Sequence, residues 1–149
     1  MAVTRTSASV SLYGRTPFDT ASRVSATLRV KPTLALEADV PHPLPRFAAE
    51  GQLAASSSWT FDEGESTPTE GDPLALACLD RLAERFSSHV DAFAALAEHY
   101  DIRVWLVVEA DRELGGFIVR PDTLERLVRM RAALYPVVRI ARPRVAVHA

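Results

Sequence analysis

The chain contains stretches in which hydrophobic and polar residues alternate, the pattern of a β-strand with one buried face. The strongest runs over residues 102–110, IRVWLVVEA, where every second residue is aliphatic and the opposite face carries Arg103, Trp105 and Glu109. Residues 9–14, SVSLYG, alternate in the same way and end in a glycine. We predict a strand in each stretch, with the strand over 102–110 at the centre of a sheet.

Three further stretches carry weaker strand signals. Residues 57–64, SSWTFDEG, place Trp59 and Phe61 on one face, and residues 135–141, YPVVRIA, close the chain. The proline in the closing strand suits a strand start or a sheet edge. Residues 115–119, GGFIV, follow the turn ADREL and are predicted as the hairpin partner of the strand before that turn.

Hydrophobic residues three or four positions apart predict two short amphipathic helices. Asp19 is the predicted N-cap of the first, over residues 20–30. This helix ends at Lys31-Pro32, because proline disfavours helical backbone in the residue before it. The second helix opens at Pro121. Its residues at helical spacing are Leu124, Leu127, Val128 and Arg131.

A longer helix is predicted after Asp72-Pro73, a pair that combines a capping side chain with proline at the first helical position. Hydrophobic residues then recur at every third or fourth position through Ser87-Ser88. The pattern therefore predicts one helix over residues 73–99. A break at the two serines is the alternative.

Two loops and two tails lie outside these elements. Residues 31–56 contain four prolines and are predicted as a long loop, since proline interrupts helices and central strands. Residues 62–72 are acidic and rich in turn-forming residues, which predicts a surface loop. Residues 1–7 and 142–149 are predicted to fray, and the whole chain, 1–149, to form one domain.

The order of these elements, β-α-loop-β-α-β-β-α-β, indicates an α+β fold. It predicts a single antiparallel or mixed β-sheet with two to three helices packed on one face, a sandwich of the ferredoxin-like type. One face of that sheet is then covered by helices, and the other is open to a ligand or a partner.

Composition and charge exclude several classes of protein. Hydrophobic residues make up 48% and charged residues 24% of the 149, which fits a globular chain with a core of its own. A net charge of −2, with only a short basic tail, argues against nucleic-acid binding. Cys78 is the only cysteine, and no segment has the length and apolarity of a signal peptide or a membrane span. We therefore expect a cytoplasmic protein that binds no membrane.

No combination of residues has the spacing of a catalytic, metal or cofactor motif. The histidines are His42, His89, His99 and His148. The two in the predicted long helix are ten residues apart and cannot share one metal ion. Gly115-Gly116 lacks the lysine and the helix of a phosphate loop and is predicted as a bulge or tight hairpin, while Cys78 is predicted to pack in the core. We expect no catalytic residue, no metal and no cofactor.

Several of these motifs together resemble the bacterial domain-of-unknown-function family DUF 4279. They are a strand ending in Gly14, a helix running into Lys31-Pro32-Thr33, a strand around Trp59, a long Leu-rich helix, Gly-Gly-Phe at 115–117, a Pro-started helix and a closing strand. The resemblance covers residues 8–141. It implies an α+β sheet fold in a bacterial cytoplasmic protein and no established activity, cofactor or catalytic residue. The closing strand YPVVRI lacks the acidic residue that the family carries near that point, which puts the role of that residue in doubt here.

Two hypotheses about function follow. The first is a non-enzymatic protein-interaction or accessory module, immunity-like in format, that receives an unknown protein partner on a sheet face or edge. The second is a small-molecule-binding or enzymatic domain with a pocket between the sheet and the 31–56 loop. Exposed sheet edges also predict a homodimer. The candidate ligand or partner face consists of Arg103, Trp105, Glu109, Gly115 and Gly116.

Overall fold

In the part of the chain that the structure describes, five strands form one mixed β-sheet, and four helices pack against one face of it. The computed structural model describes residues 3–38, 56–112, 116 and 118–141. The strands are β1 (Val3–Gly14), β2 (Leu34–Leu36), β3 (Ser58–Ser66), β4 (Tyr100–Ala110) and β5 (Ala133–Ile140). The helices are α1 (Ala21–Leu28), α2 (Ala77–Arg85), α3 (Val90–Leu96) and α4 (Pro121–Arg129).

The strands lie in the order β2-β3-β1-β4-β5, and all described neighbours are antiparallel except β4 and β5. β3 and β4 therefore run parallel on either side of β1, joined by α2 and α3, which is a split β-α-β unit of the kind found in ferredoxin-like folds. β4, α4 and β5 form a parallel crossover between adjacent strands. The predicted α+β fold with one sheet is confirmed. The described helices number four, and not two to three, because the predicted long helix is broken.

Alternation along the strands decides which face of the sheet is buried. Val10 and Leu12 on β1 have no exposed surface, and Val104 on β4 is equally buried among the helices. Trp59 on β3 joins the same core, and its indole N–H donates to the Ser25 hydroxyl of α1 at 3.0 Å. We call this helix-covered side the inner face of the sheet and the opposite side the outer face.

The first strand is longer than its hydrophobic pattern indicates. β1 begins at Val3, so the prediction that residues 1–7 fray is wrong from Val3 onward. This segment pairs with β3 on one side and β4 on the other. Thr6 within it is fully buried, and its hydroxyl donates to the Ala75 carbonyl. Pairing on both sides stabilises this part of the strand. Its residues are mostly polar, so the hydrophobic pattern does not indicate a strand there.

The predicted helix over residues 73–99 is wrong, and the alternative of a break at Ser87-Ser88 is confirmed. α2 ends at Arg85 and α3 begins at Val90. The Ser87 hydroxyl donates to the Glu84 carbonyl at 2.7 Å, a local bond that competes with helix propagation. The hydrophobic spacing continues across the break because both helices pack on the same core.

Asp72 binds the start of α2, but the N-cap position is Leu76, and the helix begins four residues later than predicted. Its carboxylate accepts hydrogen bonds from the backbone N–H groups of Leu76 and Ala77, both at 2.9 Å. Ala75, which is buried and has a φ of 55°, forms the turn between Asp72 and the helix. The prediction of Asp72 as the N-cap and of Pro73 as the first helical residue is therefore wrong, although the Asp72 carboxylate does accept hydrogen bonds at the helix start.

The N-terminus of α1 is capped by Thr20 and not by Asp19 as predicted. The Thr20 hydroxyl accepts from the Arg23 N–H at 3.2 Å. Asp19 instead turns back toward Thr16, whose N–H and hydroxyl both donate to it at 2.9 Å. Glu37, which follows β2, supplies a second cap by accepting from the first backbone N–H groups of the helix.

The predicted hairpin strand over residues 115–119 is wrong for the positions that the structure describes. Gly116, Ile118 and Val119 are not in a strand, and Gly115 and Phe117 lie outside the described residues. The neighbours of β4 are β1 and β5, and β5 reaches its parallel position through the crossover helix α4. The predicted edge location of Pro136 is confirmed, since β5 is the last strand in the sheet.

The two predicted loops are partly structured. Residues 34–36 of the 31–56 segment form β2 against β3, and residues 39–55 lie outside the described ranges, as do the tail residues 142–149. The acidic segment belongs to β3 up to Ser66. Its Glu63 side chain is only 5% exposed and lies 2.5 Å from the half-exposed Arg85 of α2, so Glu63 is a buried, paired carboxylate and not a solvated charge. No helix in the described part of the chain is long and apolar enough to cross a membrane.

Candidate functional site

The outer face of the sheet carries the side chains that alternate with the core residues. The described helices do not cover this face, because their buried residues all pack against the inner face. The middle of β1 supplies only serines to this face, and their side chains are short. The larger side chains come from the two ends of β1 and from β3, β4 and β5: Arg5, Tyr13, Glu65, Arg103, Trp105, Val107, Glu109, Tyr135 and Arg139.

Four of these side chains form a group that we call the aromatic–arginine cluster: Tyr13, Arg103, Trp105 and Tyr135. The guanidinium carbon of Arg103 lies 5.0 Å from the centre of the Tyr13 ring and 5.1 Å from that of Tyr135. Tyr135 also contacts Trp105, with 5.0 Å between ring centres. Strand register produces the cluster, because Trp105 pairs directly with Tyr135 and Arg103 with Ser11, two residues before Tyr13.

The contacts within the cluster hold Arg103 in place without neutralising it. Each cation–π contact at an exposed site contributes about 0.5–1 kcal/mol. Among the described residues, no carboxylate lies within 4.0 Å of Arg103, and no acceptor is within hydrogen-bonding distance of its guanidinium. Tyr135 is 38% exposed. The cluster therefore offers solvent an ordered cation framed by aromatic rings.

Glu109, at the other end of β4, belongs to a separate ion cluster. Arg5 donates to its two carboxylate oxygens at 3.1 and 2.7 Å and also lies 3.2 Å from Glu65. The hydrogen bond from Arg5 holds the pKa of Glu109 below its usual value, against burial, and the charges of Arg5 and Arg139 act in the same direction. Six residues of strand, about 20 Å, separate Glu109 from Arg103, so they do not converge on one ligand.

The predicted face is therefore only partly assembled. Arg103 and Trp105 lie in one cluster, and Glu109 lies in another on the same face. Gly116 has a φ of 148° and lies in the connection between β4 and α4, outside the strands that make the face, while Gly115 is not described. No atom of another described residue lies within 4 Å of a Cβ built on Gly116, so no close approach within the described ranges explains this glycine.

A cavity of about 310 Å³ adjoins the aromatic–arginine cluster where β4 begins. Its lining includes Arg103, Tyr135, Arg131 from the turn after α4, and the ion pair between Arg15 and Asp101, whose nearest atoms are 3.1 Å apart. Three arginines and one aspartate give this lining a local excess of positive charge. The chain as a whole has a net charge of −2, so this concentration of cations is local.

Sequence reasoning missed four members of this region: Tyr13, Arg15, Arg131 and Tyr135. Tyr13 and Tyr135 do carry a signal, since each falls on the polar side of an alternating strand. Arg131 was assigned to the apolar spacing of the second helix, but α4 ends at Arg129 and Arg131 adopts a left-handed turn with φ of 56°. Which strands are neighbours decides that these residues meet, and the sequence pattern does not contain that information.

The cysteine and the histidines do not assemble into a site among the described residues. Cys78 is fully buried beside the Thr6 hydroxyl, which confirms its place in the core. His89 packs against the Phe86 ring and His99 is exposed, while the other two histidines lie outside the described ranges. Within the part of the chain that the structure describes, no three His, Cys, Asp or Glu residues are grouped to hold a metal ion.

A second cavity of about 360 Å³ lies on the helix side, between the turn before α2 and residues 118–120. Its walls are mainly aliphatic, with Asp80 and Arg120 at the edge. Asp80 is already engaged, since the Thr123 hydroxyl donates to it at 2.6 Å and Arg120 lies 3.3 Å away. The predicted pocket between the sheet and the 31–56 loop involves residues 39–55, which are outside the described ranges.

Comparison with known proteins adds no identity. The chain matches no protein-family model, no curated protein and no solved structure. The resemblance to the family DUF 4279 therefore stays a prediction, and the function is argued from the geometry of the outer face alone.

Proposed function

We propose that this chain is a non-enzymatic protein-interaction module that receives a protein partner on the aromatic–arginine cluster of its outer sheet face. The observation that carries the proposal is the cluster itself, in which Arg103 is held between Tyr13 and Tyr135, and Tyr135 packs on Trp105. Tyr, Trp and Arg are the residue types that dominate binding energy at protein interfaces.

The order within the cluster supports the same function. Side chains that are already held by neighbours lose little rotamer freedom when a partner binds, which lowers the entropic cost of association. The neighbouring β1 side chains on this face are small serines, which allows a protein surface to approach the cluster. An accessory or immunity-like role in a bacterium fits this small format.

A small-molecule site is the second candidate, and the cavity of about 310 Å³ beside the cluster is the observation that favours it. That volume is at the lower end of the range for ligand pockets. The lining is polar and charged, however, and most ligand pockets are largely apolar with a few polar groups. The cavity therefore suits a side chain of a partner better than a buried ligand.

Site-specific photo-cross-linking in cells of the native host tests the proposal. A photoreactive phenylalanine analogue replaces Trp105 in one variant and the exposed Glu84 on α2 in the control. We expect a discrete protein adduct from position 105 and none from position 84. Absence of an adduct at position 105, or the same adducts from both faces, would contradict a partner on the outer face.

Native mass spectrometry of protein purified from the same cells separates the two candidates. A small molecule retained by the wild type and lost in Arg103→Gln, without any adduct at position 105, favours the ligand site. Homodimerisation stays a prediction and is measured by sedimentation. An edge-to-edge dimer through β5 would have to accommodate Pro136, which has no N–H to donate.

A further inference from the structure

We infer that the partner inserts an acidic side chain, aspartate or glutamate, between Arg103 and Arg131 in the cavity beside the aromatic–arginine cluster. The inference rests on the proposed function, because it specifies what the partner brings to the same face. Its basis is the pairing of arginines across the molecule, the geometry of this cavity and the charge of the rest of the outer face.

Most described arginines are already paired. Eight have a carboxylate within 4.0 Å: Arg5, Arg15, Arg23, Arg81, Arg85, Arg112, Arg120 and Arg129. The other five described arginines have none among the described residues: Arg29, Arg103, Arg126, Arg131 and Arg139. Of these five, Arg103 and Arg131 are the two that line the cavity of about 310 Å³. Glu98 adjoins Arg131 in the neighbouring cavity but is not within that distance. Two cations without a counter-charge therefore lie beside one concave site.

The donors of Arg103 remain available to a ligand. Tyr13 and Tyr135 contact the guanidinium through their rings. Among the described contacts, no hydrogen bond uses the N–H groups of this guanidinium. A planar guanidinium presents its N–H donors in a fork that matches the two oxygens of a carboxylate. Asp101, the one acid in the cavity lining, is occupied by Arg15 at 3.1 Å.

The rest of the outer face favours an acidic protein segment over a nucleic acid. A nucleic-acid backbone needs positive charge along its whole path. At the far end of the face, the acids Glu65 and Glu109 are balanced by Arg5 and Arg139, so that end has no excess of positive charge for a nucleic-acid backbone. A short acidic segment would need only the local cations Arg103 and Arg131, and its neighbouring apolar side chains would lie on Trp105 and Tyr135.

Immobilised wild-type protein and three variants, two at cavity residues and one control, test the inference with defined peptide libraries. One fluorescent library has Asp or Glu fixed at its centre with random flanks, and the other has Asn or Gln at the same position. We expect wild type to retain the acidic library about tenfold more strongly, the effect of one or two charge-assisted hydrogen bonds at a partly exposed site. Arg131→Gly and Arg103→Gln should abolish the difference.

Arg29→Gly is the matched control. Arg29 and Arg131 both have a φ of 56° and no described ion pair, so glycine relieves the same backbone strain at either position. Only Arg131 lines the cavity. Arg29→Gly should keep the tenfold preference that Arg131→Gly loses, and since neither change should weaken the fold, loss of binding cannot be assigned to unfolding.

Equal retention of the two libraries by wild type, including no retention of either, overturns the inference. Stronger retention of a single-stranded oligothymidylate than of the acidic library overturns it as well. Cross-linking at position 105 distinguishes this failure from that of the proposed function. An adduct that persists undiminished in Arg103→Gln and Arg131→Gly leaves the interaction module standing and removes the acidic anchor.

Discussion

Gly14 ends β1 at a point where the chain passes so close to Asp19 that a side chain has no room. A Cβ on Gly14 would overlap the backbone oxygen of Asp19 and lie 3.0 Å from its Cβ. The Gly14 N–H donates to the Ser57 carbonyl at 2.9 Å, which fixes the strand end. We expect Gly14→Ala to lower the free energy of unfolding by about 1–3 kcal/mol, the usual cost of overpacking.

Urea denaturation measures this change, and Gly71→Ala is its control. Nothing lies within 4 Å of a Cβ on Gly71, and its backbone is not left-handed. That substitution should change stability by less than about 0.5 kcal/mol. Equal stabilities for the two variants would mean that the turn containing Asp19 can move away from the added Cβ without lowering the free energy of unfolding.

Asp19 is a buried carboxylate whose ionised form is stabilised by its neighbours. Burial alone would raise its pKa, but hydrogen bonds from Thr16 and the charges of His99 and Arg23 outweigh burial and lower the pKa. A lowered pKa in the folded state means that this stabilisation is complete above the unfolded value of about 3.9. It is lost as the pH falls through the folded-state pKa.

Asp19→Asn should therefore be less stable than wild type at neutral pH and should lose less stability on acidification. Denaturation midpoints over a series of pH values from neutral to strongly acidic measure both effects. Glu84→Gln, at an exposed position on α2, is the control and should follow the wild-type curve. Parallel curves for Asp19→Asn and wild type would contradict the role of the Thr16 hydrogen bonds.

At the scale of elements, the C-terminus of α1 carries avoidable strain. Arg29 follows the last helical residue with φ of 56° and ψ of 37°, and its N–H donates to the Ser25 carbonyl at 2.8 Å. The left-handed conformation costs a residue with a Cβ about 1–2 kcal/mol, and glycine avoids that cost. We expect Arg29→Gly to raise the free energy of unfolding by about 1 kcal/mol.

Arg29→Ala separates backbone strain from the loss of the side chain. Alanine keeps the Cβ, so its stability should stay within about 0.5 kcal/mol of wild type, as for other exposed positions. Thermal or urea unfolding of the three proteins gives the comparison. A stabilised alanine variant, or a glycine variant no more stable than wild type, would show that the helix end is not strained.

The strands and helices that the sequence predicts well are those whose alternation or spacing is set by the core. β4 and the second half of β1 follow from alternation, because each inner-face residue must be buried, as Val10, Leu12 and Val104 are. α4 follows in the same way from its opening proline and buried Leu127. The break between α2 and α3 does not, because hydrophobic spacing is the same for one helix and for two helices on one core.

The candidate site was harder to predict because it depends on which strands become neighbours. Arg103 and Trp105 were identified from β4 alone. Tyr13 and Tyr135 reach them only because β4 lies between β1 and β5. The predicted hairpin would have placed residues 115–119 beside β4, where β5 lies instead. A pair of glycines predicts a turn but not the direction of the strand that follows, so the parallel crossover could not be foreseen.

At the scale of the whole molecule, the sheet has two unlike faces. The inner face is closed by four helices around aromatic residues that include Trp59, Phe86 and Phe93. The outer face keeps its large side chains at the β4 and β5 end, where Trp105 is partly exposed. The two tryptophans therefore report on opposite faces. Trp59 has no exposed surface, and Trp105 packs on Tyr135, which lines the same cavity as Arg103 and Arg131.

Fluorescence quenching tests whether the outer face is open. We expect iodide to quench the emission of Trp59→Phe, in which only Trp105 remains, and to leave that of Trp105→Phe almost unchanged. Iodide should also quench Trp105 more than caesium does, because Arg103 and Arg131 concentrate anions near the ring. This preference should fall as salt is added, since exposed charges are screened over about 10 Å at 0.1 M salt. Circular dichroism checks that both variants fold.

The outcome bears on every proposal for this face. Trp105 protected as well as Trp59 would mean that the outer face is covered, and a protein partner could then reach the aromatic–arginine cluster only after that cover moves. Quenching by caesium and iodide to the same extent would mean that Arg103 and Arg131 create no local positive potential, and the case for an acidic partner would fail. Quenching of Trp105 by iodide in preference to caesium is the one result consistent with an open face that attracts anions.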